Sequence, residues 1–202
     1  SGNLWATSDI GTGVLSVVYP KGFNAFYCMK YEVSVEQYIE FLHTLTRDQQ
    51  NERVNADISG TSVTNNFVMS ETSSLFRRNG LRTSSSLPAT GPVTFFADYD
   101  GDGVGNETGD GQNIALCFLT WPHIAAYLDW SGLRPMTDLE YEKACRGPNN
   151  PVGGEYAWGN SSIHTLWYNL TNSGAANEEI SDCPENVGNS IYSTTYANVD
   201  GP

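Results

Sequence analysis

The segment 133–147, LRPMTDLEYEKACRG, limits the possible fold more than any other part of the chain. Thr137 and Glu140 have the spacing of a capping box: the threonine hydroxyl accepts from the Glu140 N–H, and the glutamate carboxylate accepts from the Thr137 N–H. The residues that follow favour a helix, and Gly147 is placed to end it in a left-handed conformation. The sequence therefore predicts a short helix whose two ends are specified locally.

A second capping box, Ser34 with Gln37, predicts the start of another helix. Apolar residues follow at helical spacing and predict a buried stripe: Val35, Tyr38, Phe41, Leu42 and Leu45. His43 falls on the opposite side, so we expect a solvated side chain there.

The remaining stretches give weaker signals. Residues 13–18 and 26–33 read as short strands. Residues 46–94 carry no clear period, and 61–66 and 83–86 look like surface excursions. With 20 Gly and 9 Pro, the composition indicates turns and long connections rather than a helical bundle.

Two further segments complete the pattern. Residues 120–132 predict a helix that Thr120 caps and Gly132 ends. The segment 155–160, EYAWGN, reads as an aromatic turn.

In this order, these segments and 29–42 resemble the formylglycine-generating-enzyme (sulfatase-modifying-factor) superfamily over residues 26–170. The resemblance implies an α+β, C-type-lectin-like fold that is loop-rich, with few short helices and strands. We expect residues 1–202 to form a single domain of this kind that lacks its C-terminal part.

The charge balance excludes two classes of partner. The net charge is −13 with only 10 basic residues, which disfavours nucleic acid and anionic membrane surfaces. No run of about 18 apolar residues is present, so the sequence predicts no membrane span. Hydrophobic residues make up 39% of the chain, enough for one sizeable core.

The sharpest local motif for a metal is DYDGDG, residues 98–103. Asp98, Asp100 and Asp102 alternate before a glycine that permits a sharp turn, an arrangement that suits the hard-oxygen preference of Ca²⁺. Gly109 occupies the place where an EF-hand loop has a bidentate glutamate, so the motif is not an EF-hand. Two interpretations stay open: an acidic surface turn, or a looser Ca²⁺ loop closed by Asn106, Glu107 or Asp110.

A second Ca²⁺ site is implied only by the resemblance. The related enzymes bind a structural Ca²⁺ through an asparagine amide and the carbonyl of the following apolar residue, and Asn169 and Leu170 match that pair. No later ligand carries over, because residues 182–192 do not align with the family pattern. The alternative is that Asn169 caps a turn.

No catalytic residue can be assigned. The oxidising members of the superfamily bind copper through two cysteines late in the domain, whereas Cys28, Cys117, Cys145 and Cys183 lie far apart. Thiolate ligation of Cu(I) needs at least two soft ligands. The iron-dependent relatives use a histidine cluster, but His43, His123 and His164 are scattered.

The first three cysteines are predicted to be buried free thiols, while Cys183 stays open. Glu140 and Glu142 are better explained as a capping-box residue and an exposed helix position than as paired catalytic carboxylates. We expect His123 to be a surface or packing residue rather than a catalytic base.

The resemblance is strongest to the non-catalytic variable proteins of diversity-generating retroelements, which share the form L-R-P-M-T-x-x-E-x-E-K-A-C-R-G. It implies a display scaffold, at the cell surface or secreted, for a protein or small-molecule ligand. The chain's own C-terminal segment is a further candidate partner. One alternative is a copper-dependent cysteine oxidase (formylglycine-generating) or related oxidase whose active-site half is missing from the chain. The other is a surface lipoprotein component of bacterial motility or secretion machinery.

Overall fold

The computed structural model of the 202-residue chain describes residues 5–8, 11–150, 152–156, 158–164, 169–182 and 188–191. These residues form a loop-rich α+β arrangement of short helices and small two-stranded sheets. The helices are α1 (Val35–His43), α2 (Arg47–Asn51), α3 (Trp121–Trp130) and α4 (Asp138–Arg146). The strands are β1 (Trp5–Ser8), β2 (Gly11–Val14), β3 (Leu81–Thr83), β4 (Phe95–Ala97), β5 (Ile163–His164), β6 (Leu170–Thr171), β7 (Glu179–Ile180) and β8 (Gly188–Ile191).

The chain divides into two compact units. The first combines Ser1–Met29 with Pro135–Ser161, and the second combines Lys30–Arg134 with Ser162–Pro202. In the described residues of both units, no helix is long and apolar enough to cross a membrane.

The first unit contains the β1–β2 hairpin and α4. The predicted capping box of α4 is confirmed: Glu140 N–H donates to Thr137 Oγ1 (3.2 Å), and Thr137 N–H donates to Glu140 Oε2 (3.0 Å). The Thr137 hydroxyl also donates to the carbonyl of Pro20 (2.8 Å), which ties the segment before α4 to the N-terminal part of the chain. A side chain at Gly22 would place Cβ 2.8 Å from the Leu139 carbonyl oxygen, so glycine is required at this close approach.

Helix α4 ends at Gly147, as predicted, with φ of 65°. Its ψ of −141° lies outside the left-handed helical region, so the stop is a different glycine conformation from the one expected. Glu142 is exposed, in agreement with the sequence, and accepts from Arg146 Nε one helical turn later (2.6 Å).

The second unit is organised around α1. The capping box of Ser34 and Gln37 is present, and the predicted stripe is buried at Val35, Tyr38, Phe41 and Leu42, while Leu45 is half-buried. Aromatic rings fill the space between α1 and α3 at centroid separations of 5.4–6.1 Å: Tyr38, Phe41, Tyr127 and Trp130. Tyr38, Phe41 and Tyr127 are buried, whereas Trp130 is 43% exposed. Large rings of this kind hold short helices together without a long helical interface.

The aperiodic stretch 46–94 supplies a large part of this core, although two segments of it were predicted to lie on the surface. Buried apolar side chains come from Val54, Ala56, Ile58, Val63, Phe67, Val68, Met69, Leu81, Leu87 and Val93. The interpretation of 61–66 and 83–86 as surface excursions is wrong at Val63, Asn66 and Thr83, which are buried. Loops fold inward here and follow no repeating pattern, so hydrophobic periodicity could not reveal them.

The two predicted strands are also corrected. Strand β2 covers Gly11–Val14, and the chain turns at residues 17–18. Residues 26–33 form no strand, and Tyr27 and Tyr31 are 98% and 73% exposed. The end of this segment is paired, because Leu116 N–H donates to Val33 O (2.8 Å). A strand needs a partner, and apolar content alone does not supply one.

Candidate metal centre

The acidic loop, residues 98–111, begins where strand β4 ends. Leu81 of β3 lies opposite Ala97 of β4, and Asp98 N–H then donates to Gly80 O (2.9 Å). This pairing places the Asp98 carboxylate in the interior, with no exposed surface. Space is tight at Gly80, because an added Cβ would lie 3.1 Å from the Tyr99 nitrogen.

Asp98 orders the turn that follows it. Its Oδ1 accepts from Gly101 N–H (2.9 Å), and its Oδ2 accepts from Gly103 N–H (3.1 Å). Both glycines have positive φ, 78° and 92°, which supports the prediction that glycine permits the sharp turn.

Arg82 holds Asp98 from the opposite side. Its guanidinium forms an ion pair with Asp98 Oδ2 and lies 5.1 Å from the ring centre of Phe67. With the amide of Asn66 oriented to satisfy both ends, its oxygen accepts from Arg82 Nε (2.7 Å). Asp98 is therefore fixed in position before any ligand binds.

The structure brings the three predicted aspartates together. Asp98, Asp100 and Asp102 each offer a carboxylate oxygen within 4.8 Å of the others, and the latter two are exposed. Asp100 Oδ1 accepts from Asp102 N–H (3.2 Å), and Asp102 Oδ1 accepts from Val104 N–H (2.7 Å). Metal binding by this cluster stays a prediction.

The three residues considered for closing the loop have different roles. Asn106 Oδ1 accepts from Ala97 N–H (3.2 Å), so this side chain pins the loop to β4. Glu107 is exposed. Asp110 is buried, with 1% of its surface exposed, and its Oδ2 accepts from Glu107 N–H (2.5 Å). Its Oδ1 is buried and has no hydrogen-bond partner among the described residues.

The electrostatic environment of Asp110 is unfavourable to its charge. Burial raises the pKa of Asp110 above its ordinary value, and Asp100, Asp98 and Asp102 raise it further. The hydrogen bond from Glu107 N–H acts in the opposite direction but does not reverse the shift. The Asp110 carboxyl therefore lies within electrostatic reach of all three clustered aspartates.

The acidic loop is also joined to residues 173–178. Gly111 N–H donates to Gly174 O (3.0 Å), and the Tyr99 hydroxyl lies 3.1 Å from Ser173 Oγ. On the same side, Arg78 Nη2 contacts both carboxylate oxygens of Glu178 (2.7 and 2.6 Å).

The second predicted pair is Asn169 and Leu170. Leu170 is the first residue of β6, and Asn169 directly precedes it. Leu170 is opposite Ile180 of β7 in an antiparallel pair. Asp182, which sequence alignment did not assign, accepts from Asn169 N–H (2.9 Å) and Asn169 Nδ2 (2.7 Å). The β6–β7 pairing brings these residues together across 13 positions, a proximity that no local motif reveals.

The described cysteines are free thiols with different environments. Cys28 is exposed, so the expectation of burial is wrong there, because the segment 26–33 joins no sheet that would cover it. Cys117 and Cys145 are half-buried. The Cys117 thiol donates to Arg77 O (3.3 Å) and accepts from Asn79 Nδ2 (3.7 Å). Cys183 lies outside the described residues.

The histidines have structural contacts. His43 is exposed as predicted, yet its Nε2 accepts from Phe95 N–H of β4 (3.0 Å), a contact 52 residues away that the sequence could not indicate. His123 is buried, and its Nδ1 accepts from Thr120 N–H (3.3 Å), which supports its interpretation as a packing residue. The side chain of His164 lies outside the described part.

Comparison with known proteins gives one match. The family model described as the sulfatase-modifying factor enzyme 1-like domain matches residues 19–191. Neither the curated proteins nor the solved structures gave a match. Because the matched residues cover most of the chain and include the segments around α1, α3 and α4, the chain belongs to the sulfatase-modifying-factor (formylglycine-generating-enzyme) family.

Proposed function

We propose that this chain is a non-catalytic ligand-binding member of the family, which uses a C-type-lectin-like scaffold to present a surface to a protein or small molecule. The observation that carries the proposal is that side chains of the types most often used in catalysis are occupied by structural hydrogen bonds. His43, His123 and Cys117 all make hydrogen bonds to backbone groups or to neighbouring amides.

These contacts restrict proton transfer. A neutral Nε2 of His43 accepts from Phe95 N–H, and a neutral Nδ1 of His123 accepts from Thr120 N–H. Protonating either atom during a reaction cycle would break a bond that positions a strand or a helix start. Glu140 is held in the same way by the Thr137 N–H of the α4 capping box.

The resemblance of 133–147 to the variable proteins of diversity-generating retroelements supports the same proposal. In that group the fold presents side chains to a ligand and performs no reaction. The acidic composition favours a ligand that is not nucleic acid.

Family membership also favours a second candidate, the copper-dependent oxidation of a substrate cysteine to formylglycine. Copper(I) would need two soft ligands close together. The cysteines of this chain do not fit such a pair in sequence, and Cys117, the one described cysteine of its unit, has its sulfur engaged with Arg77 and Asn79. We therefore assign no step of that reaction to these residues.

A peptide-oxidation assay separates the two candidates. The protein is incubated with a cysteine-containing sulfatase peptide, Cu(I), reductant and oxygen, and mass spectrometry follows conversion of the thiol to an aldehyde. We expect no conversion above that given by the Cys117→Ser and Cys145→Ser variants. Repeated turnover by the wild type that either variant abolishes would overturn the proposal.

We also propose, on the family resemblance, that Asn169 and Leu170 hold a structural Ca²⁺ together with Asp182. The donors are an amide oxygen, a backbone carbonyl and a carboxylate, all of the type that Ca²⁺ prefers. Asn169 faces Asp182 through its amide nitrogen, which leaves the amide oxygen outside that contact. Loss of one calcium-binding event in Asp182→Asn would support this assignment, and unchanged calcium binding would overturn it.

A further inference from the structure

We propose that Asp98, Asp100, Asp102 and Asp110 form a second Ca²⁺ site, separate from Asn169, in which the buried Oδ1 of Asp110 supplies the fourth carboxylate. This inference is independent of whether the chain is a binding module or an enzyme.

The first observation is the convergence of three carboxylates. Oxygens of Asp98, Asp100 and Asp102 lie within 4.8 Å of one another, although two of these residues are free to turn toward solvent. An acidic surface turn would give the same cluster, so this observation does not decide between the two interpretations left open by the sequence.

The second observation concerns the interior and favours the Ca²⁺ loop. Asp110 is 99% removed from solvent, and its Oδ1 has no hydrogen-bond partner in the described part of the chain. Leaving a buried acceptor unsatisfied carries a free-energy cost, which is larger when the group is charged. A surface turn gives no reason for this cost, whereas a cation bound by the cluster would offset it.

The charge balance of the loop points the same way. Arg82 is paired with Asp98, so one of the four negative charges is compensated within the described residues. The charges of Asp100, Asp102 and Asp110 have no such pair in the described part of the chain. Tyr99 N–H donates to Asp110 O (3.2 Å), which holds Asp110 beside the start of the loop, and Glu107 N–H is the one hydrogen-bond donor described at the Asp110 carboxylate. A divalent cation would compensate most of the excess, which Arg82 alone cannot do.

The donor set selects calcium. All four side chains offer hard oxygens, and the glycines at 101 and 103 let the loop wrap around an ion that takes six to eight ligands at variable angles. Mg²⁺ requires near-ideal octahedral geometry and releases its water reluctantly. Because Gly109 cannot give a bidentate carboxylate, we expect a weaker site than an EF-hand sensor, with Kd of about 10 µM to 1 mM.

Calorimetric titration of the full chain with CaCl₂ tests the proposal, with four variants. Asp100→Asn removes an exposed member of the cluster, and Asp110→Asn removes the buried one without changing its shape. Asp182→Asn removes the other proposed site. Asp57→Asn is the matched control, because exposed Asp57 accepts from Ser59 N–H (2.9 Å) in the same local geometry as Asp100 but lies outside the cluster.

We expect Asp100→Asn and Asp110→Asn each to lower the affinity of one binding event by roughly 10–100-fold. Asp57→Asn and Asp182→Asn should retain that event, and MgCl₂ should give a much weaker titration. Unchanged binding in Asp100→Asn would remove the site, and unchanged binding in a folded Asp110→Asn would remove Asp110 from it. Equal affinity for Mg²⁺ would overturn the calcium assignment. Should Asp110→Asn fail to fold, Asp100→Asn alone decides, because its side chain is exposed.

Discussion

Two buried polar side chains in the second unit, Gln50 and Asp110, have opposite surroundings. Gln50 is 0% exposed, and its amide nitrogen donates to Leu42 O and Val93 O (both 3.0 Å) while its oxygen accepts from Val93 N–H (2.7 Å). Asp110 is 1% exposed, and one of its oxygens has no partner among the described residues.

The difference separates structural polar groups from candidate ligand-binding ones. A neutral amide joined at both ends links α1 to the segment before β4 and needs nothing further. A carboxylate with one unpartnered oxygen near three like charges is stabilised by a counter-charge. The core around Gln50 therefore serves as scaffold, and the acidic loop is the part of the unit for which we propose a bound cation.

Replacing Gln50 tests the scaffold side and should give the largest effect. Gln50→Leu removes the partner of both backbone groups of Val93 and one of the two bonds to the Leu42 carbonyl, which keeps the bond from Leu45 N–H (3.1 Å). We therefore expect the free energy of unfolding to fall by about 3 kcal/mol. Chemical denaturation measures it. Gln112→Leu is the control, because Gln112 makes one exposed hydrogen bond, to Glu107 O (2.8 Å). Equal losses in the two variants would contradict the structural role of Gln50.

Calcium removal tests the ligand-binding side. Ca²⁺ at 100 times its Kd should raise the free energy of unfolding by about 2.7 kcal/mol over the value in chelator. The gain from the acidic loop should disappear in Asp100→Asn and persist in Asp57→Asn. A gain of equal size in Asp100→Asn would place the stabilising ion elsewhere.

Acidification tests the scaffold through His123. Burial lowers the pKa of His123, nearby Arg53 lowers it further, and a hydrogen bond to Glu52 opposes the shift. The unfolded chain therefore takes up the proton first, so this contribution to stability is present above the unfolded pKa of about 6.5 and is lost as the pH falls below it. One such group changes the unfolding free energy by at most about 1.4 kcal/mol per pH unit.

Denaturation of wild type and His123→Asn between pH 5 and 8 measures this contribution. We expect the wild type to lose more stability than the variant as the pH falls. Parallel pH profiles would show that His123 is not the group responsible.

The smallest predicted effect lies in the first unit. Thr137→Ala removes the cap of α4 and should lower the free energy of unfolding by about 1 kcal/mol. Thr90→Ala, at an exposed loop position, serves as the control and should change stability by less than about 0.5 kcal/mol. An unchanged denaturation midpoint in Thr137→Ala would mean that the cap contributes nothing.

Helices α1, α3 and α4 could be predicted because their signals are local, whereas α2 was missed although the capping box of Thr46 and Gln49 gives it a local signal of the same kind. The pairs Ser34 with Gln37 and Thr137 with Glu140 carry the start of α1 and α4 within four residues, and both capping boxes form. The buried side of α1 follows from helical spacing in the same way.

The rest of the core could not be predicted, because its contacts are distant in sequence. Gln50 bonds to Val93 across 43 positions, and His43 bonds to Phe95 across 52. Neither residue type signals burial by itself, and the loops of 46–94 follow no period that would mark Val63 as an interior residue.

The candidate site was predicted in part for the same reason. Alternation identified Asp98, Asp100 and Asp102, but nothing in the sequence ranked Asp110 above Asn106 and Glu107. The distinction comes from the folded loop. There the buried Oδ1 of Asp110 has no described hydrogen-bond partner, whereas Asn106 Oδ1 accepts from Ala97 N–H. Arg82, which holds Asp98, gave no sequence signal at all.

A crystal structure grown with terbium, a luminescent and strongly anomalous substitute for Ca²⁺, tests the central claim most directly. The account predicts an anomalous peak at the end of β4, about 2.3–2.6 Å from oxygens of Asp98, Asp100 and Asp102, with the Asp110 carboxylate turned toward it. An empty loop, with peaks only beside Asn169 or elsewhere, would contradict the account.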